Sequence, residues 1–397
     1  MTESMQKTKK SIGFWFAVIL IAIYGIACLW LFYHQSIADL SLPDPIPYQS
    51  DLPLHISMVV EDGWYYSFTA FVYQALYSLG GGNTFGIALF LAVVSVATVF
   101  ATERLLRLLQ ADDMPNGYHP EWQGYILALA LNLVMPIFLR FVGQYRYVSY
   151  QSPNIWHNST YICMRLMAVL TLTEYFRLEK KYREGIAWKE WLWFAFLNVI
   201  CTGIKPSFLL VYSPIVGLYL LVDLFKKVPL WRILIFGSAL LPSGLVILWQ
   251  NMVLFGEDTG NGISFSPWYT FSLHATRTKP AVLCSVLFCV VMLLFTCKQL
   301  LTDRKYQFIT LMAGLGFFEA LCLVESGHRS VDGNFLWGYS FCLFVLFTVC
   351  ALKWIHLDLK GINGVIKFAA GLVFAWHLYC GIYFFVELVS GASYWMM

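Results

Sequence analysis

The chain has 397 residues, 59% of them hydrophobic and only 12% charged. An ordinary soluble domain carries about 25% charge, so a water-soluble globule is excluded. A net charge of +3 is too small to matter beside where the charges fall, and no nucleic-acid partner is expected.

Lys7, Lys9 and Lys10 precede an apolar run from about Ile12 to Tyr33. The run is too long for a signal-peptide core and no small-residue cleavage site follows, so it is expected as an uncleaved first helix. Ten further apolar segments have the length of a span, which calls for roughly 20 residues. The eleven lie at 12–33, 84–108, 124–142, 160–178, 190–204, 206–225, 232–252, 281–299, 307–324, 335–355 and 364–388. The expected fold is therefore an all-α polytopic membrane protein with a single transmembrane domain over 1–397 and no soluble domain. Ten cysteines fall inside or at the ends of these segments, with no C-x-x-C pair, and are expected as helix-packing residues rather than disulfides.

Lysine and arginine concentrate in alternate loops: at 7–10, 104–107, 177–183, 226–232, 298–305 and 353–360. The opposite set carries only Arg140, Arg146, Lys205, Arg277, Lys279 and Arg329. By the positive-inside rule the N-terminus is cytoplasmic and, after an odd number of spans, the C-terminus lies outside. The first outer loop, 34–83, is the longest segment that does not span. Its stretch from Trp64 to Leu79 is too polar for a span and suits an interfacial helix, ended by Gly80-Gly81-Gly82.

Four polar clusters fall on the outer side, where ionisable groups at the ends of apolar helices read as a site. In the first, Asp51 and His55 stand four apart. On a helix they share a face, so His55 would orient or charge-balance a carboxylate able to act as a general base. The competing reading is a solvated loop acid, like Asp39 and Asp44. Glu61-Asp62 is expected as a helix N-terminal charge or cap. The second cluster runs from Arg146 to Trp156-His157-Asn158-Ser159-Thr160, with Arg165 a turn inside the next span. A guanidinium at that depth needs either a carboxylate or a lipid phosphate, and Glu319 is a candidate structural partner. Asn158-Ser159-Thr160 matches a glycosylation sequon, but it abuts a span and modification is not expected.

Lys205-Pro206 leaves almost no loop between two spans, so Lys205 either snorkels to headgroups or points at a bound phosphate. The densest cluster holds Glu325, His328, Arg329, Asp332 and Asn334 within ten residues. Its donors and acceptors suit a bound ligand. A divalent cation is conceivable from the composition, but no spacing is a ligand signature, and no metal or other cofactor is expected.

The whole pattern resembles the GT-C superfamily of polytopic glycosyltransferases. The likeness rests on the architecture and on an acidic residue, Asp51, ahead of an interfacial helix in the first outer loop. It implies a polyprenyl-phosphate-linked sugar as donor, a cell-envelope glycan or lipid as acceptor, and a setting in the bacterial cytoplasmic membrane among its lipids. It also implies Asp51 as catalytic base or acceptor-orienting group. Donor or acceptor contacts would then come from Arg146, His157, Asn158, Arg165, Lys205, Glu325, His328, Arg329, Asp332 and Asn334. The chain departs from larger members in having no soluble C-terminal domain and no acidic doublet at Asp51. Alternatives are a polymerase or ligase of lipid-linked glycans, an acyltransferase using His157 or His328, or a lipid-linked-sugar flippase. Polarity collected at the helix ends rather than at the midplane argues against the last.

Orientation is directly testable. A reporter active only in the cytoplasm should work when fused within 109–123 and fail within 325–334, and the reverse pattern would invert the topology.

Overall fold

A computed structural model describes residues 3–110, 121–255, 262–356 and 364–397. The helices, in chain order, are α1 Glu3–Ser36, α2 Leu52–Val60, α3 Phe68–Leu79, α4 Phe85–Gln110, α5 Glu121–Leu131, α6 Ser159–Leu178, α7 Trp188–Ile204 and α8 Ser207–Phe225. They continue with α9 Leu230–Ser238, α10 Leu241–Phe255, α11 Tyr269–Ser272, α12 Thr278–Phe295, α13 Cys297–Leu300, α14 Arg304–Cys322, α15 Leu336–Ile355 and α16 Gly364–Val389. One short antiparallel pair, β1 Ile263–Phe265 with β2 Leu323–Glu325, sets Ile263 opposite Glu325. All ten cysteines are free.

Among the described residues, seven helices are long and apolar enough to cross a membrane: α1, α4, α8, the α9–α10 pair, α12, α15 and α16. The protein is thus an all-α, multi-pass membrane protein. Four of the eleven expected spans fall short, for local reasons. Arg165, Glu174 and Arg177 interrupt the apolar run of α6, α7 has 17 residues, and α14 carries Arg304, Lys305 and Glu319. The segment expected at 124–142 is helical only to Leu131, after which the chain runs without regular helix to Asn158.

Pro136, which cannot donate to a helix, lies in that irregular stretch. Its main-chain groups are satisfied by neighbours instead. Met135 N–H donates to the His377 carbonyl (3.2 Å), Ile137 N–H to the Cys284 carbonyl (3.0 Å), and Tyr150 Oη bonds both polar groups of Leu139. Such backbone is tolerated in an apolar setting only when protein covers it. Gly381 on α16 makes the approach possible, because a Cβ there would overlap the Leu133 carbonyl oxygen.

The buried Asn154 closes this stretch. Its Nδ2 donates to the carbonyls of Leu131 (2.9 Å) and Val134 (2.8 Å), and its Oδ1 accepts from Arg165 Nη1. Arg165 is 1% exposed and its guanidinium faces the Phe344 ring at 5.4 Å. One arm of the guanidinium is thus met by a neutral amide, and Glu319, the candidate structural partner, makes no ion pair among the described residues. Arg165 belongs to the clasp that holds the irregular stretch, about 10 Å along α6 from Asn158 at 1.5 Å per residue.

The first outer loop also differs from expectation. It folds as two helices, α2 and α3, with Gly63 (φ +68) reversing the chain between them. The helix expected to lie in the interface begins at Phe68, capped by Ser67, whose Oγ accepts from Thr69 N–H and donates to the Ile204 carbonyl at 2.7 Å. Glu61 stands at the C-terminal end of α2, not at an N-terminus.

The two ends of the bundle differ chemically. At one, Asp223 on α8 accepts from Tyr182 and pairs with Arg183 (3.1 Å) and Arg304 (2.9 Å), and Lys353 pairs with Asp303 (2.6 Å). The other end gathers α2, α3, the irregular stretch, the β pair and the C-terminal residues.

Asn154→Ala would leave Arg165 and two main-chain carbonyls buried without their partner. Each orphaned buried group costs about 1–3 kcal/mol, so a loss of at least ~3 kcal/mol is expected as a lowered thermal-unfolding midpoint in detergent. An unchanged midpoint would show the clasp to be dispensable.

Candidate functional site

Asn158 is the N-cap of α6, the position where a side-chain oxygen satisfies free helix N–H groups. Its Oδ1 accepts from Tyr161 N–H (2.9 Å) and from Thr160 Oγ1 (2.9 Å). With the oxygen so engaged, Nδ2 points the other way and donates to Asp51 Oδ2 at 2.7 Å. Asp51 is the N-cap residue of α2 but does not cap with its side chain. Its own N–H donates to the His157 carbonyl at 3.0 Å. Asp51 Oδ1 carries no hydrogen bond from any described residue.

Lys205 sits in extended conformation between α7 and α8, and Pro206 holds the turn. Its Nζ donates to Thr160 Oγ1 (3.3 Å) and stands 4.6 Å from the centre of the Trp337 ring. Lys205, Thr160, Asn158 and Asp51 thus form one chain of hydrogen bonds, each donor aimed toward the carboxylate. Chains of this kind polarise along their length.

The fourth cluster joins through Trp337. Trp337 Nε1 donates to Asn334 Oδ1 (3.1 Å), and Asn334 Nδ2 donates to Glu325 Oε2 (2.7 Å). Glu325 pairs with Arg329 at 2.9 Å, and Arg329 also meets Asp332 at 3.4 Å. Arg329 is therefore shared between two carboxylates rather than presented bare. The side chain of His328 lies outside the described residues.

Sequence spacing suggested that His55 orients Asp51. Instead, the His55 N–H closes the first turn of α2 on the Asp51 carbonyl (2.9 Å), and its Nδ1 pairs with Ser159 Oγ (2.9 Å). Asn158 has the orienting contact, because the cap of α6 already directs its amide. Arg146 is not in this cluster: its guanidinium lies between the rings of Phe138 and Tyr383.

Aromatic residues complete the site. His157 stacks on Tyr394 (4.2 Å, 11°) and meets the edge of Tyr147 at 4.8 Å. Tyr66 on the α2–α3 connection feels both Asp51 and Arg329, and burial pushes its phenol up to about 12. Trp337 follows the dense fourth cluster by three residues, in the first turn of α15. Tyr394 was not legible in the sequence, since it arrives on the C-terminal segment, tied by Tyr48 N–H to the Gly391 carbonyl (3.1 Å) and by Ser393 Oγ to Gln49 Oε1 (2.6 Å).

Burial holds the imidazoles of His55 and His157 down to about 4, although Asp51 pulls each the other way. Both are therefore neutral near pH 7. His55 keeps partial exposure, yet the groups packed round its ring still remove most of its water. Burial also lowers the Lys205 ammonium to about 8, with Asp51 and Glu325 opposing and Arg329 assisting the shift. The cluster thus offers a carboxylate with one open oxygen, an ammonium, and aromatic faces. Among the described residues, no three His, Cys, Asp or Glu side chains converge as a metal ion would require.

The chain matches no model of a known protein family and no curated protein sequence.

The lowered Lys205 predicts a pH signature. The neutral amine is the form that reacts with an acylating reagent, so modification of Lys205, read by peptide mass spectrometry, should rise through a midpoint near pH 8. An unperturbed lysine needs about 10.4. Asp51→Asn removes a charge that favours the ammonium, so the midpoint should fall further. A midpoint near 10 in the wild type would show that Lys205 is open to bulk water.

Proposed function

We propose that the chain is a GT-C-type glycosyltransferase of the bacterial cytoplasmic membrane. In this reading it moves a sugar from a polyprenyl-phosphate donor to a hydroxyl of a cell-envelope glycan or lipid on the extracytoplasmic side. In this reading the topology expected from the sequence, eleven crossings with a cytoplasmic N-terminus and an external C-terminus, puts the Asp51 site on that side. The observation that supports the reading best is the hydrogen-bond chain from Lys205 to Asp51, which sets a cation and a half-open carboxylate in one cluster.

Transfer needs a base for the acceptor and a cation for the leaving group. Asp51 Oδ1 takes the proton of the acceptor hydroxyl, whose oxygen then bonds to the anomeric carbon of the donor. The bond from that carbon to the phosphate oxygen breaks, and its electron pair leaves with the polyprenyl phosphate. The Lys205 ammonium meets the charge that develops there, as preorganised donors do at a transition state. Asn158 keeps Oδ2 engaged so that the free oxygen is the one presented. Trp337 and Tyr394 offer ring faces for the sugar, and Arg329, balanced by Glu325 and Asp332, positions that wall. Arg165 and Arg146 take no part in holding the donor phosphate in this reading.

General-base assistance is typically worth about 10²–10⁴ in rate. Asp51→Asn preserves size and the contact to Asn158, so it should lower transfer by that factor while donor binding survives. His55→Ala should be milder, because its ring contacts Ser159 and not the carboxylate. The assay supplies purified protein in lipid with a panel of polyprenyl-phosphate sugars and envelope extract as acceptor. Near-normal turnover in Asp51→Asn would sink the base assignment.

A further inference from the structure

Arg146 stands on the irregular stretch, and its main-chain N–H donates to the Met396 carbonyl at 3.0 Å. Its guanidinium lies 4.5 Å from the Phe138 ring centre and 4.6 Å from that of Tyr383, and it forms no hydrogen bond or ion pair with any described residue. It lines a cavity of about 250 Å³. One wall is the helix-free backbone at Met135 and Pro136; the other is α16, through Trp376, Tyr379 and Tyr383. Among the described residues no carboxylate lines it, so none of them provides a counter-ion there.

Trp376 and Tyr379 are 45% and 65% exposed on a helix with the length and apolarity of a membrane span. The cavity therefore opens toward lipid. Phe384 lines it and packs against Tyr147, which in turn meets His157, so two aromatic rings in series lie between the cavity and His157. Pockets that enclose a whole small ligand measure roughly 300–1,000 Å³, so this one accommodates a head group and leaves a hydrocarbon tail outside. A guanidinium is suited to phosphate oxygens by its flat fork of donors, and an unpaired one at membrane depth marks a ligand position by default.

We propose that this cavity binds the phosphate of an anionic phospholipid, with the acyl chains lying along the exposed face of α16. The site is separate from the Asp51 cluster, and its occupancy does not depend on the transferase reading. A polyprenyl phosphate has related head-group chemistry, and the test separates the two.

Full-length protein in detergent would be titrated by native mass spectrometry with phosphatidylglycerol, phosphatidylcholine or polyprenyl phosphate. The wild type should retain phosphatidylglycerol in preference to phosphatidylcholine. Arg146→Gln should weaken that retention about tenfold or more, the scale of one charge-assisted contact, and Arg146→Lys should fall between. Asp51→Asn should leave it unchanged. Because Arg146 also stacks on two rings, Trp376→Ala at the exposed rim serves as a second variant and should weaken retention several-fold with unaltered thermal unfolding. Equal retention of phosphatidylglycerol by wild type, Arg146→Gln and Trp376→Ala overturns the proposal. Arg146-dependent retention of polyprenyl phosphate without phosphatidylglycerol overturns it too, assigning the cavity to the carrier lipid.

Discussion

The site depends on one amide. Asn158 spends its oxygen on the first turn of α6 and its nitrogen on Asp51, so the geometry of a helix start is passed directly to a carboxylate 107 residues earlier. An amide cannot reverse without losing both contacts, which makes the arrangement stiffer than either bond alone. A cap alone is typically worth about 1 kcal/mol; its larger consequence here is orientation. The same oxygen accepts from Thr160, which brings Lys205 into the chain. A carboxylate at a membrane surface, a lysine between two helices and an asparagine at a helix start each have ordinary explanations. Their connection is what makes them a site.

The clasp below that helix start has a comparable role in the scaffold. Asn154 ties Arg165 to the carbonyls of Leu131 and Val134, and the irregular stretch then runs between α12 and α16, with Ile137 N–H on the Cys284 carbonyl and Met135 N–H on that of His377. A continuous helix from 124 to 142 would have filled that space. The break creates the cavity at Arg146 and brings Tyr147 against His157. Both features thus follow from the same departure from helical structure, which Pro136 and the close approach at Gly381 permit.

The charges at the two ends are handled differently. Asp223, Arg183 and Arg304 satisfy one another in a compact knot linking α8, α14 and the turn after α6. At the site end Arg329 pairs directly with Glu325 and Asp332, but Asp51 and Lys205 are linked only through neutral groups, an amide and a hydroxyl, and are held without being neutralised by direct contact. That difference separates an end whose charges satisfy one another from an end where a carboxylate and an ammonium stay apart.

Composition and apolar run length alone determined the membrane class and the all-α fold, because burying a main chain in lipid leaves a chain this hydrophobic few other options. The polar clusters around Asp51, Asn158, Lys205 and Glu325 were legible too, since charges at the ends of apolar helices stand out against their surroundings. Only the tertiary structure decided which residues meet. His55 has the right spacing to serve Asp51, yet Asn158 holds it, because helical periodicity reports a shared face and not the direction of a side chain. Arg165 was legible as a buried cation in need of a partner, but the asparagine eleven residues earlier that accepts from it was not. Tyr394 has no local signature, since its place follows from hydrogen bonds to residues more than 300 positions away. Local patterns record what each segment prefers, and a site built from five separate segments is specified by packing that no single segment contains.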